Sequence, residues 1–374
     1  MTALPSPRAA IMAGVCATLL GVGLQRFAYA PLVPAMVGHG WLTAGEAGTL
    51  GAANFAGYLV GAAIAPAAGR RLGMRPALRL GMLTATLCLL LCAWRGPLAW
   101  LLPWRTLAGI AGGVLMVLAG PAVQAAVPVA LRGLAAGLLF AGVGGGIMAG
   151  ALIVPALLPA GLPATWLALA AAGLALSLLS WPRWPAVPPP PAARLPDMSG
   201  ATGRLVAAYG FASVAATAHM AWWPDFIARG LGMGAGMGAA GWFLYGVGAA
   251  LGPALCGMAA DRVGTRRAFS GTLLLQLLPL SLPLVAHSLP FLAISALLGG
   301  ATAAGTTGLT LARARDLGGD AAPGIWRIGT VAWAAAQMAT GFLMAWLYAH
   351  TGSHMPIFAV GLGGAVIAAV VGRR

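Results

Sequence analysis

The chain contains no lysine, and only six of its 374 residues are aspartate or glutamate. Charged side chains of both signs account for 7% of the sequence, against 60% for hydrophobic side chains. A domain that stays in water needs a far larger share of charged surface. The scarcity of charge therefore excludes a water-soluble protein and predicts a membrane protein.

Motifs for nucleotide binding and metal-dependent hydrolysis are also missing. No phosphate-binding loop, HExxH pair or paired-aspartate arrangement occurs, which disfavours ATP-driven transport and a membrane-embedded enzyme acting on lipids. The four cysteines lie within apolar runs, where they pack as small residues and build no disulfide framework. We therefore expect no enzymatic activity, no catalytic residues, no cofactor and no metal site.

Long apolar runs dominate what is present. A hydrocarbon core about 30 Å thick requires ~20 apolar residues per helix, and the chain divides into roughly twelve such runs. Their apolar character is continuous rather than alternating, which favours helices over barrel strands. The predicted fold class is an all-α membrane protein with transmembrane helices at 9–37, 43–68, 76–94, 98–127, 133–158, 165–181, 205–228, 236–260, 268–287, 290–312, 325–349 and 356–372.

Arginine supplies all of the basic side chains, and its placement indicates orientation. The formal net charge is +15, but the arginines are scattered between apolar runs, which argues against a nucleic-acid partner. Only Arg95 and Arg229 fall on the predicted outer side, so the positive-inside rule places both termini in the cytoplasm. Arginine without lysine suggests a high-GC bacterial coding sequence. We therefore predict a multi-pass protein of the inner (plasma) membrane.

A proline-rich polar segment separates the sixth and seventh runs. It contains four consecutive prolines, Pro188 to Pro191, and such composition is typical of a semi-rigid tether between domains. The predicted organisation is an N-terminal six-helix bundle at 1–182, a cytoplasmic linker at 183–204 and a C-terminal six-helix bundle at 205–374.

The two halves share residues at a fixed offset of 191 positions. The motif Arg71-x-Gly73-x-Arg75 recurs as Arg262-x-Gly264-x-Arg266, and each copy lies between two apolar runs. The same offset relates three further glycines to three others: Gly57, Gly61 and Gly109 to Gly248, Gly252 and Gly300. The repeat predicts two parallel halves around a central cavity that is reached alternately from each side.

These motifs resemble those of a known family. The run from Gly257 to Arg267 resembles the loop signature of the major facilitator superfamily, and the run from Arg105 to Gly113 resembles its fourth-helix arginine motif. The segment Gly21-x-Gly23-Leu-Gln-Arg26-Phe27-Ala28-Tyr29 is similar to the YbfB-like branch. The resemblance implies the major facilitator fold, with two pseudo-symmetric six-helix bundles. Because the fifth helix lacks the proline of the antiporter motif, the direction of transport stays open.

Two arginines are expected at membrane depth. Arg26 lies about 18 residues after Arg8, or roughly 27 Å along a helix, and an intramembrane charge is a functional candidate. Arg105 is predicted at a similar depth, and two guanidiniums there would suit a carboxylate or phosphonate. The alternatives are that Arg26 reaches the outer headgroups or pairs with Glu46 or Asp225. In the family, an arginine matching Arg105 is often tied to proton coupling.

Three side chains are candidates for proton coupling: His219, Glu46 and Asp225. His219 is predicted at the depth of Arg26, where an imidazole could carry a proton or bind substrate, or could be a neutral side chain bonded to a carbonyl. Glu46 and Asp225 are carboxylates of the outer half, whose pKa would respond to burial and to a nearby arginine. The alternative is that they are solvated at helix ends, and Glu46 also suits the dipole of its helix.

Other polar and aromatic side chains in the apolar runs complete the predicted substrate-binding set. Asn54 and Tyr245 correspond under the repeat. Tyr29, Trp223 and Gln337 are the further candidates. The alternative for the polar members is hydrogen bonding between helices, because lipid offers no partners.

Residues of the second loop motif are predicted to gate the cytoplasmic side. The resemblance implies that Asp261 holds the N-terminus of the fifth helix near Arg132, where a carboxylate meets free N–H groups. Arg262 and Arg266 belong to the same motif. These four residues are the predicted gate.

The sequence thus predicts a monomeric secondary active transporter of a small organic anion, coupled to protons, as in symport, and working by alternating access. The alternatives are efflux of amphipathic compounds and a membrane receptor that does not transport.

Overall fold

A computed structural model describes residues 6–188 and 196–373. The chain divides into two compact units, Met1–Pro191 and Ala192–Arg374, named unit 1 and unit 2 below. Within the described residues both units are helical and contain no strand. The last three of the four linker prolines, Pro189 to Pro191, lie outside the described residues.

Beside short 3-10 turns, the described residues of unit 1 form six long helices. They are α1 (Pro7–Gly38), α2 (Ala44–Leu72), α3 (Met74–Leu91), α4 (Leu98–Ala126), α5 (Arg132–Leu157) and α6 (Leu162–Ser180). The hydrogen bonding of α1 has π character over Leu19–Phe27. Such wide turns are often found at functional sites, and this one contains Arg26.

The chain that leaves α6 remains attached to unit 1. Trp184 is fully buried in the core of this unit. Its carbonyl oxygen accepts a hydrogen bond from Arg75 Nε at 2.7 Å, and the carbonyl oxygen of Trp181 accepts one from Arg79 Nε at 3.0 Å. The beginning of the segment predicted as a semi-rigid tether, residues 183–204, is therefore packed and hydrogen-bonded.

Unit 2 contains a second series of helical elements. They are α7 (Gly200–Gly230), α8 (Gly234–Val263), α9 (Thr265–Val285), α10 (Leu289–Gly318), α11 (Ala322–Thr351) and α12 (Met355–Arg373). Helix α7 begins at Gly200, whereas the sequence predicts a start at 205. Asp197 turns the chain into this helix by accepting hydrogen bonds from the backbone N–H and the hydroxyl of Ser199, both at 2.8 Å. These bonds, the backbone one first, lower the pKa of Asp197.

Eleven continuous helical segments within the described residues are long and apolar enough to cross a membrane. One of them, Leu289–Thr351, is 63 residues long and comprises α10 and α11, which are joined by a short 3-10 turn at Gly319–Ala321. The chain is therefore a multi-pass membrane protein.

Glycines bring α2 and α4 of unit 1 into backbone contact. A Cβ placed on Gly57 would overlap the carbonyl oxygen of Thr106, and one on Gly109 would overlap that of Asn54. Close backbone approach at small residues is a general way in which membrane helices associate, because the hydrophobic effect is absent between helices in lipid. The α2–α4 pair is fixed by this contact.

The same contact recurs in unit 2 between α8 and α10. A Cβ on Gly248 would overlap the carbonyl oxygen of Leu297, and one on Gly300 would overlap that of Tyr245. Each glycine and each overlapped carbonyl lies 191 positions after its counterpart in unit 1. Gly73 and Gly264, also 191 apart, end α2 and α8 with φ of 86° and 84°, a conformation that glycine adopts without strain. The sequence repeat therefore corresponds to a repeat in helix packing.

We expect Gly57→Ala and Gly248→Ala each to lower the free energy of unfolding by about 1–3 kcal/mol, because the added methyl group must push two backbones apart. Thermal unfolding of the detergent-solubilised protein would measure this. The controls are Gly120→Ala and Gly145→Ala, where an added Cβ meets nothing within 4 Å. Equal unfolding temperatures in all four variants would show that the glycine contacts do not hold the helix pairs together.

Candidate functional site

Unit 1 buries a cluster of polar side chains between α1, α2 and α4. Gln25, Arg26, Asn54 and Arg105 are all buried, and Tyr29 lies beside them. Four of these five were predicted as substrate-binding residues. Gln25 was not.

Arg105 is held by the end of the π segment of α1. Its Nη1 donates to the carbonyl oxygen of Gln25 at 2.6 Å, and its guanidinium carbon lies 4.3 Å from the ring centroid of Tyr29. The Tyr29 ring is itself fixed, because its hydroxyl donates to the carbonyl oxygen of Ala47 at 2.8 Å. Arg105 Nε is buried and has no partner among the described residues. One N–H donor of this guanidinium is therefore not hydrogen-bonded within the part of the chain that the structure describes.

Asn54 ties the three helices together. Its Nδ2 donates to the carbonyl oxygen of Arg105 at 2.9 Å and to Oε1 of Gln25 at 3.2 Å. The Gln25 Nε2 in turn donates to the carbonyl oxygen of Gly21 at 2.6 Å. Because Gly109 lies against the backbone of Asn54, the glycine contact of α2 and α4 places this amide beside Arg105.

Aromatic rings surround Arg26. Its guanidinium carbon lies 4.6 Å from the ring centroids of both Phe55 and Tyr58, and 5.2 Å from that of Phe27. A guanidinium removed from water is stabilised when its flat face stacks on aromatic rings. Its N–H groups point outward in the plane of the guanidinium. Arg105 is hydrogen-bonded to the carbonyl oxygen of Gln25, the residue before Arg26 in α1. The bond therefore anchors Arg105 to the part of α1 that carries Arg26.

The acidic side chain of unit 1 caps a helix, and the hydrogen bonds that it makes in the described part of the chain are with Thr43. Glu46 is the only carboxylate in residues 1–191. Its Oε2 accepts hydrogen bonds from the backbone N–H and the hydroxyl of Thr43, both at 2.8 Å, and its own N–H donates back to the Thr43 hydroxyl. This capping box stabilises the start of α2, in agreement with the helix-end alternative considered from the sequence.

Unit 2 places His219 in an aromatic cluster. Its ring centroid lies 4.7 Å from that of Trp223, 5.7 Å from Phe358 and 6.1 Å from Tyr245. The His219 Nε2 lies 2.9 Å from the hydroxyl of Ser295, on α10. Three predicted substrate-binding residues, His219, Trp223 and Tyr245, are therefore brought together.

Gln337 lies on α11 of the same unit. Its Nε2 is 3.0 Å from the sulfur of Met220, the residue after His219. The side chain is fully buried. It joins α11 to α7 close to the aromatic cluster.

Asp225 forms a second buried polar group near the end of α7. Its two carboxylate oxygens accept hydrogen bonds from Nε and Nη2 of Arg229, both at 2.5 Å, and His354 Nε2 lies 2.9 Å from Oδ2. Asp225 is fully buried, whereas the Arg229 side chain is 26% exposed. The predicted coupling carboxylate is therefore paired with a guanidinium of its own helix and with a histidine at the start of α12.

The predicted gating residues lie at helix ends. Asp261, Arg262 and Arg266 are exposed around the α8–α9 turn of unit 2. Arg132 begins α5 of unit 1, and its Nε donates to the carbonyl oxygen of Gln124 at 3.2 Å. The predicted role of Asp261 toward α5 stays a prediction.

Sequence reasoning missed Gln25, Ser295 and His354 as members of these clusters. Gln25 carried a signal, since a glutamine beside an intramembrane arginine has few other partners in an apolar helix. Ser295 carried none, because serine is common in membrane helices. His354 carried none either, because its contact with Asp225 spans 129 positions of the chain.

We expect Asp225→Asn to lower the free energy of unfolding by about 3 kcal/mol, because it removes the charge of a buried ion pair. The value is at the low end for such pairs because Arg229 retains some access to solvent. Thermal unfolding would measure the loss, with the exposed Asp320→Asn as the matched control. Equal stability of the two variants would contradict a structural role for the pair.

Comparison with known proteins identifies the family of this chain. The sequence profile of the family described as uncharacterised MFS-type transporter YbfB matches residues 18–373. A comparison with curated proteins finds no match. The matched region covers nearly the whole chain, including α1 with Arg26 and α4 with Arg105. The chain therefore belongs to the YbfB-type family of the major facilitator superfamily of transporters.

Proposed function

We propose that the protein is a secondary active transporter of a small organic anion, coupled to protons and working by alternating access as a monomer in the inner membrane. Family membership supports transport of a small molecule across a membrane. We further propose that α1 to α12 are twelve transmembrane helices in two six-helix bundles, with both termini in the cytoplasm. The division of the 63-residue segment into α10 and α11, two 30-residue helices that pack on each other, supports this count.

The observation that carries the choice of an anion is the charge of the unit 1 cluster. Two buried guanidiniums lie in a unit whose one carboxylate caps a helix. A buried charge is costly unless a counter-charge or a dense set of hydrogen bonds accompanies it. A carboxylate or phosphonate ligand would bring negative charge to this cluster and could accept a hydrogen bond from Arg105 Nε.

Ligand binding tests the anion. A thermal-shift screen of mono- and dicarboxylic acids and phosphonates should reveal acids that stabilise the wild type. Arg26→Ala and Arg105→Ala should each raise the Kd of such an acid at least about tenfold, since a hydrogen bond to a charged group contributes about 1.5–3 kcal/mol. Arg95→Ala removes one exposed positive charge and should leave the Kd unchanged. Equal Kd values for all variants would contradict the proposed site.

Protons are the proposed coupling ion, and His219 is the best supported carrier among the three candidates. Glu46 is used in the capping box, and Asp225 is already paired with Arg229 and His354. His219 is buried among uncharged rings and bonds to a neutral hydroxyl. An imidazole in that setting can gain a proton without first breaking an ion pair.

Flux in proteoliposomes tests the coupling. Uptake of a stabilising acid should rise with an inward proton gradient, and His219→Gln should abolish this dependence because glutamine carries no titrating proton. The exposed His350→Gln is the matched control and should behave as the wild type. A gradient dependence that survives in His219→Gln would contradict the assignment.

Efflux of amphipathic compounds is a second candidate, favoured by the aromatic cluster of unit 2. Rings of Trp223, Phe226, Trp242, Tyr245 and Phe358 lie within 6 Å of at least one other member, and such surfaces suit flat apolar ligands. Stabilisation by amphipathic cations, lost in Trp223→Ala and retained in Arg26→Ala, would favour this function over the transport of an anion.

A further inference from the structure

A proline of α9 alters the hydrogen bonding of the carbonyl one turn before it. Pro283 lies four residues after Pro279 and has no backbone N–H, so the Pro279 carbonyl lacks its usual α-helical donor. Ser295 of α10 supplies a donor instead, and its hydroxyl donates to the Pro279 carbonyl oxygen at 2.7 Å. Both residues are buried. A carbonyl that lacks its helical donor at Pro283 is thus hydrogen-bonded by a hydroxyl of a neighbouring helix.

The orientation of this hydroxyl determines the protonation of His219. A serine hydroxyl carries one hydrogen, and Ser295 gives it to the Pro279 carbonyl. Toward His219 Nε2, at 2.9 Å, the same oxygen can therefore act only as an acceptor. A neutral imidazole carries a hydrogen on one of its two nitrogens, and here that nitrogen must be Nε2.

We propose that Pro283 and Ser295 are positioning residues that hold His219 as the Nε2–H tautomer, so that Nδ1 is the atom at which this side chain takes up a proton. The relay runs from Pro283 through the Pro279 carbonyl and the Ser295 hydroxyl to the imidazole, and it joins α9, α10 and α7. The role of this relay in proton coupling rests on the proposed function, whereas the tautomer of His219 does not depend on it.

The remaining surroundings of His219 offer little else to distinguish its two nitrogens. Trp223 of α7 and Phe358 of α12 contribute uncharged rings, and Tyr245 of α8 is the one titratable side chain among the described ring contacts. On α10, Gly299 has no side chain and lets the imidazole lie against the helix, since a Cβ there would come within 3.1 Å of the ring. The direction of the Ser295 hydrogen bond therefore decides which nitrogen is protonated.

Nitrogen-15 NMR of the purified protein, labelled at its five histidines, tests this assignment. A protonated and a non-protonated imidazole nitrogen have widely separated resonances, and the His219 signals are identified by their loss in His219→Gln. In the wild type we expect a protonated Nε2 and a non-protonated Nδ1 above the titration of the ring. On acidification the Nδ1 signal should move to the protonated position, while Nε2 stays protonated.

Two substitutions test the relay. Pro283→Ala restores the N–H that the Pro279 carbonyl lacks, which releases the Ser295 hydroxyl to donate to His219, so we expect a shift toward the Nδ1–H tautomer. Pro279→Ala is the matched control, because it also replaces a buried proline of α9 but retains the carbonyl and adds no donor to it. That variant should keep the wild-type tautomer. Ser295→Ala removes the acceptor and should give a mixture of both tautomers.

The outcomes separate this inference from the proposed function. An Nδ1–H tautomer in the wild type, or an unchanged tautomer in both Pro283→Ala and Ser295→Ala, would overturn the relay, and the wild-type spectrum decides the first point even if a variant fails to fold. An Nε2–H tautomer together with flux that ignores the proton gradient would support the relay and refute the coupling proposed above.

Discussion

The close contact between glycine-lined helices is the constraint on which the rest of each unit depends. In lipid, helices gain little from hiding apolar side chains, so backbone approach at small residues must hold them together. Gly57 and Gly109 produce this approach in unit 1, and Gly248 and Gly300 produce it in unit 2. The contact also positions the polar cluster of unit 1, because it holds the segment around Asn54 against α4. The side-chain amide of Asn54 donates a hydrogen bond to the carbonyl oxygen of Arg105 there.

The two units use the same packing for different chemistry. The position of Asn54 in unit 1 corresponds to Tyr245 in unit 2, and that of Arg105 corresponds to Ala296. Unit 1 accordingly buries two guanidiniums beside amides and aromatic faces, whereas unit 2 buries an imidazole among rings. The anion site proposed for unit 1 and the proton carrier proposed for unit 2 both depend on this difference in side chains between two similarly packed units.

Sequence reasoning succeeded where the signal was local or repeated. Apolar runs located most helix ends to within a few residues, with the start of α7 at Gly200 and the end of α10 at Gly318 as exceptions. The matches at an offset of 191 positions identified contacts that recur in the helix packing. It failed where a residue had to be placed by tertiary contact. Trp184, the second residue of the predicted linker, is buried in unit 1 and its carbonyl oxygen accepts a hydrogen bond from Arg75, and nothing in a proline-rich composition indicates this. The start of α7 at Gly200 was missed for a different reason, since the turn at Asp197 is a local hydrogen-bond pattern in a polar segment that lies outside the apolar run.

Composition and charge placement were sufficient to predict a helical membrane protein and to single out Arg26, Arg105 and His219, since hydropathy and the rarity of charge in apolar runs are properties of the linear chain. The superfamily was indicated by the resemblance of its motifs to known ones and is confirmed by the family profile. The partners of those side chains came from the packing alone. Arg105 meets the Gln25 carbonyl across 80 positions, His219 meets Ser295 across 76, and Asp225 meets His354 across 129. Hydrogen bonds of that kind depend on which helix faces are turned toward each other, and no periodicity within one helix encodes the face of its neighbour.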